Sequence, residues 1–577
     1  MNFWKSWLAG QDGTDGGSIR AESSLAGEAN LSSSRLFPHA QNFDRWMTLF
    51  LVMGVLARVI RYYLCFPLWD DESFLCVNFI DRIYAELLQP LDYHQVAPVL
   101  FLWIERAAVQ AFGFNEYALR LIPFISSLLS IFLFRRVAGQ LLSGPALLFA
   151  VATFAVSYPE IRYAAEAKPY GTDMCLSLLM LSLVVEWCIS RNHRLLQALA
   201  AMMPIVLGLS YPAVFAAGGL SLVVGLVLLR QAGAFREWLS WSVWNLALVV
   251  SFVVWFSLVG RTQSGAEGEF MGEYWKQNFP PVGQIWLLPF WLLKTHASDF
   301  LAYPLGGPNW ASSATLVICL AGLWRLGQQR KMVWLALLLC PAGLHFLAAA
   351  LQKYPYGGHV KFSQYLAPMI CCLIGVGLVQ FLDWRSRYGY SATRGFWVIS
   401  GIMLAIGAGD IGRDLVNPYK TRSDDRARAF ARSFWVGTHY AEEVVCLKSD
   451  QGLDFVPDQH RELSWSAHYR CNRAIEVSRS HLRPADLSRV SASRPLRCVI
   501  YRDARYDLDQ TRLDQWLEEM NQQYELVAHE SVPFPRFAKN ERRLVTMEYI
   551  DSYKFVPRSD PSQETRVTAD KSHAISR

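Results

Sequence analysis

The fold class this sequence predicts is mainly α: a multi-spanning bundle of membrane helices followed by a small C-terminal α/β domain. Three observations predict it. Of the 577 residues, 52% are hydrophobic and 18% charged, the first above and the second below the usual globular range. The apolar excess is confined to residues 46–412, while 1–45 and 413–577 have a soluble composition. Basic residues fall in short clusters between the apolar blocks, as they do where loops report membrane topology. The net charge of +6 is too small and too scattered for a nucleic-acid partner.

The spans follow from apolar length, since about 20 residues cross the hydrocarbon core. Eleven segments qualify: Trp46–Phe66, Tyr117–Phe134, Leu141–Tyr158, Tyr170–Ile189, Leu195–Tyr211, Pro212–Leu229, Trp238–Gly260, Asn309–Trp324, Met332–Leu351, Phe362–Trp384 and Phe396–Gly412. With the N-terminus inside, five loops carry the basic clusters: Arg135/Arg136, Arg191/Arg194, Arg230/Arg236, Arg325/Arg330/Lys331 and Arg385/Arg387/Arg394. All five then face the cytoplasm. The segment Ala97–Gly113 is also apolar, but it is short and has Glu105 and Arg106 at its middle. Counting it as a span would turn every later cluster outward, so it is read as an interfacial or re-entrant helix. The exoplasmic loops become 67–116, 159–169, 261–308 and 352–361.

Residues 1–45 lack the apolar core and cleavage site of a signal peptide and read as a disordered cytoplasmic tail. Residues 46–412 are the membrane domain, 413–560 an exoplasmic α/β domain and 561–577 a second disordered tail. In the exoplasmic domain Glu442–Asp450, Pro495–Asp503, Tyr524–Val532 and Leu544–Tyr553 read as strands, and Asp509–Gln523 as an amphipathic helix. Cys446, Cys471 and Cys498 fall there, where an oxidising compartment permits one disulfide and leaves one thiol over. The cysteines inside spans read as small packing residues.

Candidate chemistry gathers in the exoplasmic loops. Asp70, Asp71 and Glu72 are three consecutive carboxylates after the first span, ahead of an amphipathic stretch from Phe74 to Leu88. Acidic residues suit a helix N-terminus; a carboxylate at the membrane surface also suits a general base. The second loop supplies Arg162, Glu166, Lys168 and Tyr170, with Pro169 opening the next span so that its amides and two cations face an anion. The third is Tyr354-Pro355-Tyr356-Gly357-Gly358-His359-Val360-Lys361, where paired glycines allow close backbone approach and His359 and Lys361 supply cations. His94, ahead of the interfacial helix, joins through its neighbourhood. Plain structural roles compete at each place: a helix cap, a loop ion-pair network, a turn with interfacial Tyr and Lys. No Walker loop, dinucleotide fingerprint, nucleophile elbow or metal-ligand spacing occurs.

These features, in this order, resemble the GT-C glycosyltransferases that use polyprenyl-phosphate-linked sugars, among them the aminoarabinose transferases that modify lipid A and the protein O-mannosyltransferases. The resemblance covers about residues 46–412. It is carried by Asp71-Glu72, the Pro-containing interfacial helix ending near Phe112-Gly113, Ala118-Leu119-Arg120 and the Tyr-Pro-Tyr-Gly-Gly loop. It implies an inverting transfer from a lipid-phosphate donor to an acceptor hydroxyl on a lipid, glycan or protein, with Asp71 at the catalytic acidic position, aided by Asp70 and Glu72. Lys168, Arg162, His359 and Lys361 would stabilise the departing phosphate, with Tyr170 and Tyr356 beside them. Two departures stand out. Lys168 precedes Pro169 where the family often has Asp, which leaves Glu166 as the available second acid. The first-loop signature is Val96-Ala97-Pro98-Val99, which shifts the basic contact to the donor phosphate onto Lys168 or Lys361. No cofactor is implied, a divalent cation being compatible, and the expected location is the cell inner membrane.

Two other readings compete. A lipid or glycan flippase would place ionisable residues near mid-membrane, where only Arg58 and Glu186 are found. A non-catalytic envelope-assembly protein would use the exoplasmic domain for binding.

Overall fold

A computed structural model describes residues 40–260, 275–416, 422–434, 443–446, 464–479, 495–503, 510–537 and 544–558. Contacts divide the chain into two units. The first comprises residues 1–65, 82–108 and 119–418; the second comprises 66–81, 109–118 and 419–577. The two expected tails, 1–39 and 559–577 in particular, lie outside the described residues.

Every segment read as a span is a helix. In chain order these are Ala40–Tyr63, Glu116–Leu141, Gly144–Val156, Tyr170–Ser190, His193–Leu209, Ala213–Arg230, Phe235–Trp255, Ser313–Gln328, Met332–Ala350, Ala367–Arg387 and Ala392–Val416. Seven stretches of these, among the described residues, are long and apolar enough to cross a membrane by themselves. The others are shorter or carry more charge: Gly144–Val156 has 13 residues, and Ala40–Tyr63 contains Arg58 and Arg61. Val99–Phe112 is a separate helix of 14 residues, short of a crossing.

Within the first unit the helix Ala367–Arg387 packs on both Gly144–Val156 and Ser313–Gln328, His193–Leu209 packs on Phe235–Trp255, and Ala213–Arg230 packs on Met332–Ala350. Lipid offers no hydrophobic reward for joining two apolar helices, so close packing must do it, helped by small residues at the crossings. Ala367–Arg387 shows how. A Cβ at Gly375 would lie 2.3 Å from the Ala146 carbonyl oxygen, and one at Gly377 would lie 2.0 Å from that of Ile318.

Several ionisable groups inside the bundle are tied to partners. Arg58, fully buried, donates to Ser127 Oγ at 3.0 Å and to the carbonyls of Gly54, Ala155 and Phe154. Glu186 accepts from Gln140 at 2.6 Å and pairs with Arg136 at 3.6 Å. Arg61 and Asp414 join the first and last long helices at 2.6 Å, and Arg325 pairs with Asp383. Arg58 and Glu186 therefore serve as interhelical ties.

The second unit holds a four-stranded sheet of β1 (Glu443–Cys446), β2 (Leu496–Asp503), β3 (Tyr524–Phe537) and β4 (Leu544–Pro557), in the order β1-β2-β4-β3. β1 runs parallel to β2, and the other pairs are antiparallel. The helix Gln510–Gln523 presents Leu513 and Trp516 to Cys498, Tyr553 and Phe555 on the sheet. This is the α/β domain expected from the sequence, with two helices not anticipated: Arg422–Ala431 and Ser464–Arg479.

Two expectations need correction. The amphipathic stretch from Phe74 to Leu88 is not one helix: Asp70–Cys76, Asn78–Asp81 and a 3-10 turn at Glu86–Leu88 follow one another. Arg82 turns the chain back by reaching the carbonyls of Glu86 and Pro90 and the Asp92 carboxylate. Cys471 and Cys498 form no disulfide; both are buried thiols. Cys471 Sγ faces the Ser73 carbonyl at 3.5 Å, while Cys498 packs among Trp516 and Tyr553. The Cys446 side chain lies outside the described residues.

Candidate active site

In the first unit, loops far apart in sequence converge. The turn Leu91–Gln95 is pinned by the 2.5 Å Arg82–Asp92 ion pair, and Tyr93 adopts a left-handed conformation at φ 59°. Gln95 Nε2 donates to the Tyr93 carbonyl at 3.0 Å, which turns Gln95 Oε1 toward Lys168; the Lys168 ammonium donates to it at 2.7 Å. Lys168 is held on its own side by a backbone bond to the Glu166 carbonyl at 2.7 Å. One hydrogen bond thus joins the first and second of these loops. The His94 side chain lies outside the described residues.

The second loop forms the short helix Tyr158–Tyr163, then a turn into Tyr170–Ser190. Arg162 Nε pairs with Glu166 at 3.2 Å, four residues on, and its guanidinium lies 5.1 Å from the Tyr163 ring centroid. Glu166 is thereby engaged as an ion-pair partner. Tyr163 is the junction of the site: its ring meets Tyr170 edge-on at 4.9 Å, and its hydroxyl lies 3.3 Å from His359 Nδ1. Sequence reasoning passed over Tyr163 and Gln95, because both are uncharged neighbours of Arg162 and His94 and only the fold brings them to their partners.

The third loop is built on its glycines. Gly357 and Gly358 have φ of 79° and 72°, the left-handed region that favours glycine. A Cβ on Gly357 would lie 2.2 Å from Thr295, and one on Gly358 would lie 1.9 Å from Asn278. The close approach expected of them is made to other parts of this chain. Beyond them, His359 Nδ1 accepts the Lys361 backbone N–H at 3.4 Å. A backbone N–H can only donate, so Nδ1 is the accepting nitrogen in this contact. Lys361 Nζ sits 5.0 Å from the Trp275 ring centroid.

Tyr356 is buried in an aromatic nest. Phe300 stacks on it at 4.6 Å, Trp291 lies at 6.1 Å, and its backbone N–H donates to the Asn278 carbonyl at 2.9 Å. His296 Nδ1 lies 2.8 Å from the Leu292 carbonyl and must donate there; Nε2 then accepts from the Tyr356 hydroxyl at 3.1 Å. Burial lowers the His296 pKa, which favours this neutral form.

One further acid is notable. Glu160 is 1% exposed, and burial pushes its carboxyl up to about 8. Arg58 and the Gln364 amide offset part of that rise, but no well-formed hydrogen bond reaches either oxygen.

In the second unit, Asp70, Asp71 and Glu72 form the first turn of the helix Asp70–Cys76. Glu72 is buried and accepts the Trp69 backbone N–H at 3.3 Å, a capping role. Asp70 and Asp71 are half-buried. Close by, Ser73 Oγ meets His468 Nδ1 at 3.2 Å, both side chains fully buried.

This architecture defines a multi-pass membrane protein of the GT-C fold. Among solved structures, it is similar to ArnT from Cupriavidus metallidurans bound to undecaprenyl phosphate, with a TM-score of 0.50 and 13% identity over 89% of this chain and 98% of that one. The apo state of the same protein gives 0.48, at 14% identity over 88% and 98%. The oligosaccharyltransferase AglB from Archaeoglobus fulgidus, in complex with an inhibitory peptide and a dolichol-phosphate, gives 0.43, at 12% identity over 83% and 69%. At these identities the likeness is one of fold. No family model matches the sequence, and no curated protein matches it.

Proposed function

We propose that this protein is a membrane glycosyltransferase that moves a sugar from a polyprenyl-phosphate donor to an acceptor hydroxyl at the exoplasmic face, with inversion. The observation that carries the proposal is the convergence of three loops in the first unit: Gln95 on Lys168, and Tyr163 on Tyr170 and His359. This convergence occurs in a fold that ArnT, bound to undecaprenyl phosphate, shares.

The chemistry asks for two things. A hydroxyl is a poor nucleophile, and Asp71 is the proposed base that takes its proton as it attacks the anomeric carbon. The bond to the phosphate oxygen breaks in the same displacement, which inverts the carbon and leaves a lipid phosphate. Lys168 and Arg162, with Lys361, are the proposed stabilisers of that anion. His359 and the Tyr163 hydroxyl are proposed to hold the loops together. The ties found for Arg58 and Glu186 support this reading over a flippase, which would need ionisable groups poised to move.

The test compares envelope lipids, polysaccharides and exported proteins by mass in cells with the chain, without it, and with Asp71→Asn. A sugar increment present only with the unaltered chain supports the proposal and names both substrates. Identical profiles in all three would end it.

A further inference from the structure

The helix Leu288–His296 and the turn before it, Ile285–Leu287, have no residue that is buried. Ile285 is 71% exposed, Trp286 72% and Phe290 60%, with Leu293 also exposed. Positions 286, 290 and 293 recur at helical spacing and make one apolar face. The opposite face, with Leu288, Trp291, Leu292 and His296, is apolar as well and turns inward. A helix apolar on both faces needs an apolar medium on its outer side. Nine residues cannot cross a bilayer, and Pro280-Pro281 prevents helical extension backwards.

We propose that the segment Phe279–His296 is an interfacial strap, seated in one leaflet of the bilayer through Ile285, Trp286, Phe290 and Leu293. Its charge fits a phospholipid surface: from Trp275 to Ser298 the sequence has no Asp or Glu, while Lys276 and Lys294 flank the apolar face. Aromatic residues with lysines at the margin are the composition of a membrane-interface anchor.

The strap's inner side gives the seat a consequence. Asn278 just before it and Thr295 and His296 at its end hold three consecutive residues of the third loop: Asn278 takes the Tyr356 N–H and abuts Gly358, Thr295 abuts Gly357, and His296 accepts from the Tyr356 hydroxyl. The lipid surface thereby fixes where the Tyr356–Lys361 loop stands.

The test needs no substrate. Spin labels are placed on the full chain in phospholipid nanodiscs through Trp286→Cys and Phe290→Cys. Leu246→Cys, exposed on the long helix Phe235–Trp255, marks the hydrocarbon, and Glu518→Cys in the C-terminal domain marks water. Collision with oxygen and with a water-soluble nickel chelate is then measured. The expected result is chelate access at 286 and 290 about tenfold below that at 518, with oxygen access retained. Adding Phe290→Glu should return the label at 286 toward the aqueous value. Chelate access equal to that at 518 overturns the proposal. So does exclusion of both colliders, which would mean that protein, from this chain or a second copy, covers the face.

Discussion

Glu116 is the residue whose removal tests the second unit most directly. Its side chain is wholly buried, and two guanidinium groups donate to it: Arg428 Nη1 at 3.1 Å and Arg479 Nη2 at 2.8 Å. Arg479 also pairs with Glu476 at 3.1 Å, and Glu476 holds Arg432 at 3.2 Å. The five residues thus join segment 109–118 to the helices Arg422–Ala431 and Ser464–Arg479. Removing one partner of a buried pair costs about 3–5 kcal/mol because the other charge is stranded. Here Arg428 and Arg479 keep 20% and 34% of their side-chain exposure, so water recovers part of the loss. The expected cost of Glu116→Gln is about 2 kcal/mol. Amide hydrogen exchange reads it locally: 2 kcal/mol is roughly a thirtyfold faster exchange, and it should appear in Ser464–Arg479 while the long helices stay unchanged. Glu525→Gln, an exposed acid on β3, should change nothing. Exchange in Ser464–Arg479 that stays within about twofold of the unaltered protein, where the argument requires a factor above ten, would refute the reasoning.

Further expectations concern other parts of the chain. Glu160 keeps its proton in the folded protein up to about pH 8, whereas the unfolded chain loses it near 4.5; stability therefore falls as pH rises between those values. The difference is worth at most about 5 kcal/mol. Thermal unfolding of Glu160→Gln should match the unaltered protein at pH 5 and exceed it at pH 8.5, and a gap independent of pH would contradict the assignment. Gly377→Ala should destabilise by about 1–3 kcal/mol through its clash with the Ile318 carbonyl. Gly343→Ala, where a Cβ would meet nothing within 4 Å, should be neutral or gain up to about 1 kcal/mol of helix propensity. With a donor in hand, Lys168→Gln should raise its KM by about 10–100-fold, the loss of one charge-assisted hydrogen bond. An unchanged KM would remove Lys168 from donor binding.

The long helices were legible in the sequence because lipid demands one simple thing, an uninterrupted apolar length, and seven of them supply it in full among the described residues. The strands β2 and β4 were legible for a similar reason, being runs of β-branched and aromatic residues bounded by polar turns. The helix Ser464–Arg479 was not. Its buried positions include His468, Arg470, Asn472 and Glu476, and a helix that hides polar groups by pairing them, as Glu476 does with Arg432 and Arg479, has no hydrophobic stripe to read. The candidate site was legible in its charges and opaque in its joints. Lys168 and His359 stand in charged motifs, whereas Gln95 and Tyr163 acquire their importance only through partners 73 and 196 residues away.

The two glycines of Ala367–Arg387 have a bearing on how such a protein could move. One sits against the Ala146 carbonyl and the other against that of Ile318, on two different neighbours. Sliding this helix along its axis by about one turn would bring the side chain of Cys371 or Val379 to the place of Gly375, and that of Leu373 or Phe381 to the place of Gly377. Piston motion is therefore barred in both directions, and the helix works as a keel locked at two points. Any rearrangement of the bundle would then be taken up by the loops at the ends of this helix.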